Sequence, residues 1–153
     1  MVDTLTLYLP DPDATDHLAR RMARLLQVGD TVLLSGPVGA GKSQFARAFI
    51  RAHFGPAEDV PSPSFTLVQV YQNDLIEIWH SDLYRLTHPD EVQELGLEQA
   101  MEQAICLIEW PDRLGDLRPK RPIHLNLSLA GQGRSVTITA PLPLITALRG
   151  IDG

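Results

Sequence analysis

The chain has 153 residues, 44% of them hydrophobic and 21% charged, with a net charge of −6 at pH 7. This length suits one globular domain, burying ~70% of the surface its unfolded form would expose, and no apolar run approaches the ~20 residues of a membrane span. The acidic balance argues against unaided nucleic-acid binding, which draws its affinity from a basic face on the phosphates; nothing is locally basic beyond short pieces such as Arg118–Pro119–Lys120–Arg121.

The first residues lack a basic region leading into an apolar stretch, so no secretory signal is expected and a cytoplasmic location follows. TLTLYL (4–9) reads as a strand closed by Pro10 and Pro12. A helix is predicted from about Ala14 to Gln27, with Asp13 or Thr15 as N-cap, Leu18, Met22, Leu25 and Leu26 as its apolar stripe, and Gly29 beyond its end. TVLLS (31–35) is a continuous apolar run suited to a strand covered on both faces. A Gly-rich loop follows at 36–43, then a second helix from Lys42 to about Phe54 with Phe45, Phe49, Ile50 and His53 at helical spacing.

A Pro/Ser stretch from Val60 to Ser64 interrupts the pattern. FTLVQVY (65–71) and LIEIWH (75–80), around Gln72–Asn73–Asp74, predict a hairpin. Pro89 suits the first turn of a helix that continues, broken around Gly96, to about Gln103. The acidic residues Asp90, Glu91, Glu94, Glu98 and Glu102 fall in this stretch and read as a solvated face or as a docking surface for a basic partner. AICLIE (104–109) is another buried-type strand, and Cys106 within it reads as a small core residue. IHLNLSL and SVTITA alternate apolar and polar residues around a loop at 131–133, the pattern of an antiparallel hairpin with one wet face. Residues 141–153, with Pro141 and Pro143, read as a loosely held tail.

Residues Gly36–Pro37–Val38–Gly39–Ala40–Gly41–Lys42–Ser43 match G-x-x-x-x-G-K-[ST] at every fixed position. Glycines let successive backbone N–H groups curl around an anion with no Cβ in the way. The helix that starts at Lys42 directs its free N–H groups and positive dipole end at the same place. Lys42 is expected to bridge the β- and γ-phosphates and the Ser43 hydroxyl to ligate Mg²⁺. The strand before the loop and the amphipathic helix after it supply the context that this mechanism needs. The expected fold is therefore α/β: one three-layer P-loop NTPase-like domain over residues 1–153, its mixed sheet carrying antiparallel hairpins.

Phosphoryl chemistry also needs a carboxylate near the metal. Glu109 closes the strand AICLIE, and Asp82 follows the strand LIEIWH in His80–Ser81–Asp82–Leu83–Tyr84–Arg85. By spacing alone each could hold the metal, order the attacking water or cap a turn. His80 could orient a water or a partner group, or be structural. Arg85 could reach a phosphate or pair at the surface, while Trp79 and Trp110 read as core or pocket wall.

Four stretches together resemble the TsaE family, the bacterial ATPase of tRNA threonylcarbamoyladenosine biosynthesis: Gly36 to Ser43, Val60 to Val68 (VPSPSFTLV), His80 to Leu86 (HSDLYRL) and Ile108–Glu109–Trp110–Pro111. Their order and spacing match across roughly residues 5–140. The resemblance implies a small ATPase that acts with a TsaB–TsaD complex and meets tRNA only through it, with no membrane role. It implies ATP and Mg²⁺ as cofactors, phosphate binding by the loop residues Gly36, Val38, Gly39, Ala40, Gly41, Lys42 and Ser43, and a metal held by Ser43 and Glu109. Asp82 then belongs to a catalytic switch, so that Lys42, Asp82 and Glu109 form the catalytic set. The resemblance also carries base and ribose contacts to Thr15 and to Gly133–Arg134. Ser43 and Ser64 stand where the family more often has Thr, and both keep the hydroxyl. Two other classes fit the motif: a nucleotide-gated binding module with little hydrolysis, and a small-molecule P-loop kinase, for whose lid and acceptor site the chain has little room.

Overall fold

The apolar run at Thr31–Ser35 becomes the centre of the sheet, and every other element is ordered around it. The computed structural model describes residues 1–88 and 90–150. In chain order the elements are β1 (Val2–Leu9), α1 (Pro12–Leu25), β2 (Thr31–Ser35), α2 (Lys42–Phe54), β3 (Val68–Gln72), β4 (Glu77–Asp82), α3 (Asp90–Leu95) and α4 (Leu97–Gln103). Then come β5 (Ile105–Glu109), a 3₁₀ segment (Pro111–Leu117), β6 (Ile123–Ala130), β7 (Gly133–Pro141) and α5 (Leu142–Arg149). The expected start of a helix at Pro89 falls outside the described residues, as do residues 151–153 of the expected tail.

The seven strands lie in the order β1-β7-β6-β2-β5-β4-β3. The inner four are parallel, and both edges are antiparallel: β3 on β4 at one side, and β6, β7 and β1 at the other. Strands buried on both faces read as unbroken apolar runs because each face packs on helices. Val32 and Leu34 of β2 join the cluster under α1, α2 and α5, whereas Leu33 joins the one under α3 and α4. The same parity divides β5: Ile105 and Leu107 face α1 and α2, and Cys106 and Ile108 face the other layer. Burial pushes the Cys106 thiol up to about 12, the behaviour of a core residue rather than a reactive one. No helix among the described residues is long and apolar enough to cross a membrane.

Several boundaries differ from the sequence expectation for local reasons. Pro12 does not merely end the first strand; it sits at the start of α1, where a missing N–H costs nothing. The N-cap is accordingly Asp11, whose side chain accepts from the Ala14 N–H at 2.9 Å, and neither Asp13 nor Thr15 serves. Leu25 leaves the apolar stripe and is exposed, while Leu26 is buried. Strand β3 begins only at Val68, because Phe65–Leu67 turn: the Leu67 N–H donates to the Pro63 carbonyl at 2.7 Å and Leu67 itself has φ +68°. Leu75 is in the hairpin turn, its N–H and that of Ile76 bonded to Asn73 Oδ1, so β4 starts at Glu77. The break at Gly96 is present, with φ +82° between α3 and α4.

The expected loose tail is corrected most. Pro141 and Pro143 begin a helix instead of preventing one, and Ile145 and Leu148 of α5 are buried in the main core. Arg21 of α1 donates to the Leu148 carbonyl at 2.6 Å, and Arg149 reaches Asp3 Oδ2 at 2.8 Å and the Thr4 carbonyl at 2.9 Å. Those bonds fasten the C-terminal helix to α1 and β1.

Candidate functional site

Parallel register sets the site. Leu34 of β2 lies opposite Glu109 of β5, and Glu109 lies opposite Asp82 of β4, so three strands end side by side. The carboxyl ends of parallel strands are where an open α/β sheet leaves room for a ligand. Glu109 shares parity with Leu107 and Ile105, and Asp82 with His80 and Ile78, which turns all these side chains to the layer that contains α2.

The Gly-rich loop leaves β2 through backbone that only glycine adopts without strain. Gly36, Gly39 and Gly41 have φ of +139°, +85° and +108°. At Gly36 a Cβ would also run into the Leu127 carbonyl of β6, so the loop passes directly over the neighbouring strand. Gly41 is the N-cap of α2 and brings no side-chain hydrogen bond. The first N–H groups of α2 therefore keep their donor capacity, which is the requirement for an anion cradle.

Lys42 is buried (6% exposed), and its Nζ donates to the Gly36 carbonyl. The ammonium also lies 4.0 Å from the Trp110 ring centroid, a cation–π contact. Trp110 reaches that position from a left-handed backbone (φ +59°, ψ +56°), a conformation that costs a non-glycine residue about 1–3 kcal/mol. Tyr84 also packs against Trp110, with centroids 5.0 Å apart. Burial holds the Lys42 pKa below the ordinary lysine value, opposed by the charges of Glu109, Asp82 and Asp112. An ammonium has three donors, so the Gly36 bond leaves capacity for phosphate oxygens.

The two carboxylates have different partners. Glu109, 2% exposed, takes the Ser43 hydroxyl at 3.2 Å on Oε1 and 3.3 Å on Oε2, and His80 Nε2 at 2.7 Å on Oε2. Asp82, 7% exposed, accepts from the Ser64 hydroxyl at 3.2 Å on Oδ2 and from the Tyr84 N–H at 3.1 Å on Oδ1. Ser64 is in turn 2.7 Å from the Ser62 hydroxyl. Lys42, Ser43, Asp82, Glu109 and Trp110 all line one cleft of about 560 Å³, with Val38, Gly39 and Gly41 of the loop.

The structure thus brings together Lys42, Ser43, Asp82 and Glu109, which the sequence pattern nominated separately. Ala40 is fully buried and joins the main core cluster. Arg134 touches the loop from β7: its Nε donates to the Gly39 carbonyl at 3.1 Å. Gly133 beside it has no room for a Cβ, which would lie 2.6 Å from the Leu9 carbonyl. Thr15 is buried in the first turn of α1 and is not among the cleft-lining residues. Sequence reasoning did not single out Gln44, Arg47, Ser62, Ser64 or Tyr84 as site residues, yet all five line the cleft. Gln44 and Arg47 follow from helical spacing on α2 one and four residues beyond Ser43, a signal that was available; Ser64 lies in the turn that Leu67 closes on Pro63, which no periodicity shows. Arg85 lines the cleft too and stacks on the Phe65 ring at 4.4 Å.

Hard oxygen donors suit Mg²⁺, which usually keeps several waters and leans on one or two protein groups plus substrate phosphates. The converging Ser43 hydroxyl and Glu109 carboxylate fit that pattern. Among the described residues there is no group of three or more His, Cys, Asp or Glu side chains that would form an all-protein metal cage.

Comparison with known proteins gives one consistent family. The sequence model of the family described as "Threonylcarbamoyl adenosine biosynthesis protein TsaE" matches residues 9–136. A relative from Rickettsia felis, named tRNA threonylcarbamoyladenosine biosynthesis protein TsaE, is 38% identical over 128 residues, 84% of this chain and 75% of the relative. A Bacillus subtilis protein of the same name is 32% identical over 132 residues, 85% of this chain and 82% of its own. The crystal structure of Bacillus subtilis YdiB superposes with a TM-score of 0.77 at 26% identity, covering 97% of this chain and 94% of that one. Its likeness bears out the mixed-sheet P-loop fold. The chain belongs to the TsaE family.

Proposed function

We propose that the chain is a Mg²⁺-dependent, ATP-binding and ATP-hydrolysing subunit required for threonylcarbamoyl modification of tRNA, acting on a TsaB–TsaD-like complex and meeting tRNA only through it. The observation that carries this reading is the uncapped N-terminus of α2, whose Gly41–Lys42–Ser43 entry opens on the same cleft as Glu109 and Asp82. The name of the relatives supports the pathway, and the net charge of −6 supports an indirect route to tRNA.

The loop amides and Lys42 receive the phosphates, replacing water around a triphosphate with fixed dipoles and one buried positive charge. Ser43 and Glu109 would hold Mg²⁺, which when bound neutralises charge building up on the phosphate oxygens. Asp82 accepts a hydrogen bond from the attacking water and aligns it with the terminal phosphate; its bonds from Ser64 and the Tyr84 N–H fix the carboxylate while lone pairs remain toward the cleft. Arg134 steadies the loop through the Gly39 carbonyl; the reading assigns the base and ribose to the side of Arg134 and of the first turn of α1 around Thr15, whose own side chain is buried. Transition-state donors supplied in trans by the partner would make turnover slow in its absence.

The test is ATP turnover with and without a reconstituted TsaB–TsaD complex and its tRNA. The reading expects hydrolysis to rise when the complex is added. Turnover that stays at background while ATP alone fixes the complex would make the chain a nucleotide-gated binding module instead.

A further inference from the structure

His80 is absent from the catalytic set above, yet it is the closest polar neighbour of Glu109. It is 1% exposed, and its Nε2 is 2.7 Å from Glu109 Oε2. A carboxylate only accepts, so Nε2 carries the proton of this bond. The other ring nitrogen, Nδ1, is buried without a hydrogen-bond partner. Leaving a buried polar atom unpaired is destabilising, and the surrounding positions on that face, Ile78 and Leu107, are apolar. An apolar residue at position 80 would avoid the cost. The parallel ladder already joins β4 to β5 at Ile78, Trp79, Ser81 and Asp82, so the ring is not needed to hold the strands together.

We propose that His80 is a positioning residue for Glu109: its Nε2–H pins Oε2 so that the carboxylate stays directed at the Ser43 hydroxyl, which both of its oxygens meet. This rests on the reading of Ser43 and Glu109 as the Mg²⁺ pair. His80 is not itself a ligand, because it does not line the cleft and its one engaged nitrogen is spent on Glu109. Carboxylates that bind metals are commonly held by such an outer partner, and its loss typically costs 10–100-fold in metal affinity. Without the ring, Glu109 gains rotamers that point both oxygens away from Ser43.

The experiment is calorimetric binding of a non-hydrolysable ATP analogue to the full chain, once with MgCl₂ and once with EDTA. The ratio of the two Kd values gives the Mg²⁺ gain, and thermal unfolding is followed for each variant. His80→Ala is expected to lower the gain about tenfold while changing the EDTA affinity by less than about twofold. His80→Gln, whose amide nitrogen can stand where Nε2 stood, is expected to recover most of the gain. A folded His80→Ala with the wild-type gain overturns the inference and leaves the Mg²⁺ reading intact, as does an equal loss in the Ala and Gln variants. If the wild type itself shows no gain, the Mg²⁺ reading fails and the inference goes with it. Should His80→Ala not fold, His80→Gln against the shorter His80→Asn carries the test: a gain kept by Gln and lost by Asn supports the positioning role, and equal gains overturn it.

Discussion

Asp82 and Glu109 end adjacent parallel strands in register, one residue opposite the other, and yet they occupy different chemical settings. Glu109 is held by a hydroxyl from the phosphate loop's own helix and by a buried imidazole, so its position is tied to the loop. Asp82 is held by Ser64 and by the Tyr84 N–H, both from the segments that flank β3 and β4. One carboxylate is therefore tied to the Gly-rich loop and its helix. The other is tied to Ser64 and to Tyr84, which is itself packed on Trp110. Two acids of the same charge at the same sheet end thus differ in setting because different stretches of chain hold them.

The comparison is broken or sharpened by substitution. The largest effect is expected for Asp82→Ala, which should reduce turnover on the order of 10²- to 10³-fold while leaving ATP affinity within about twofold; a large loss of affinity would transfer the ligand role to Asp82. Next, Glu109→Ala should lower the Mg²⁺-dependent part of nucleotide affinity about 10- to 100-fold, measured as the difference between titrations in MgCl₂ and in EDTA. Unchanged Mg²⁺ dependence there would remove the distinction between the two acids.

A pH titration of affinity probes the cation between them. Burial lowers the Lys42 pKa, and only the protonated form attracts phosphate. Affinity should therefore be full below the lowered value and fall as pH rises through it, by about tenfold per unit beyond, before an ordinary lysine would titrate. Lys42→Arg, charged throughout, should flatten that fall even if its fit is poorer. The smallest effect belongs to Ser64→Ala, which removes one hydrogen bond from Asp82 and should slow turnover roughly fivefold, about 1 kcal/mol, with Mg²⁺ dependence unaffected.

The cradle was legible in the sequence because its physics is local: glycines at fixed offsets, a buried-type strand before them and an amphipathic helix after. Glu109 was legible as the last residue of an apolar run. The links between segments were not. His80 and Glu109 are 29 residues apart and meet only through the β4–β5 register, and Trp110 caps Lys42 through a left-handed backbone that composition does not reveal. The C-terminal helix was missed for a different reason. Pro141 and Pro143 in a short terminal stretch suggest a loose tail although both fit a helix's start, and the burial of Ile145 and Leu148 depends on a face of β1, β7 and α1 that exists only after folding.

The central claim is that the backbone amides entering α2, with Lys42, capture a triphosphate beside a divalent cation. Isothermal calorimetry of ATP into the purified, folded chain with Mg²⁺ tests it most directly. The account predicts uptake of one nucleotide per chain that is lost in Lys42→Ala; a folded wild-type chain that binds neither adenine nor guanine nucleotides would contradict it.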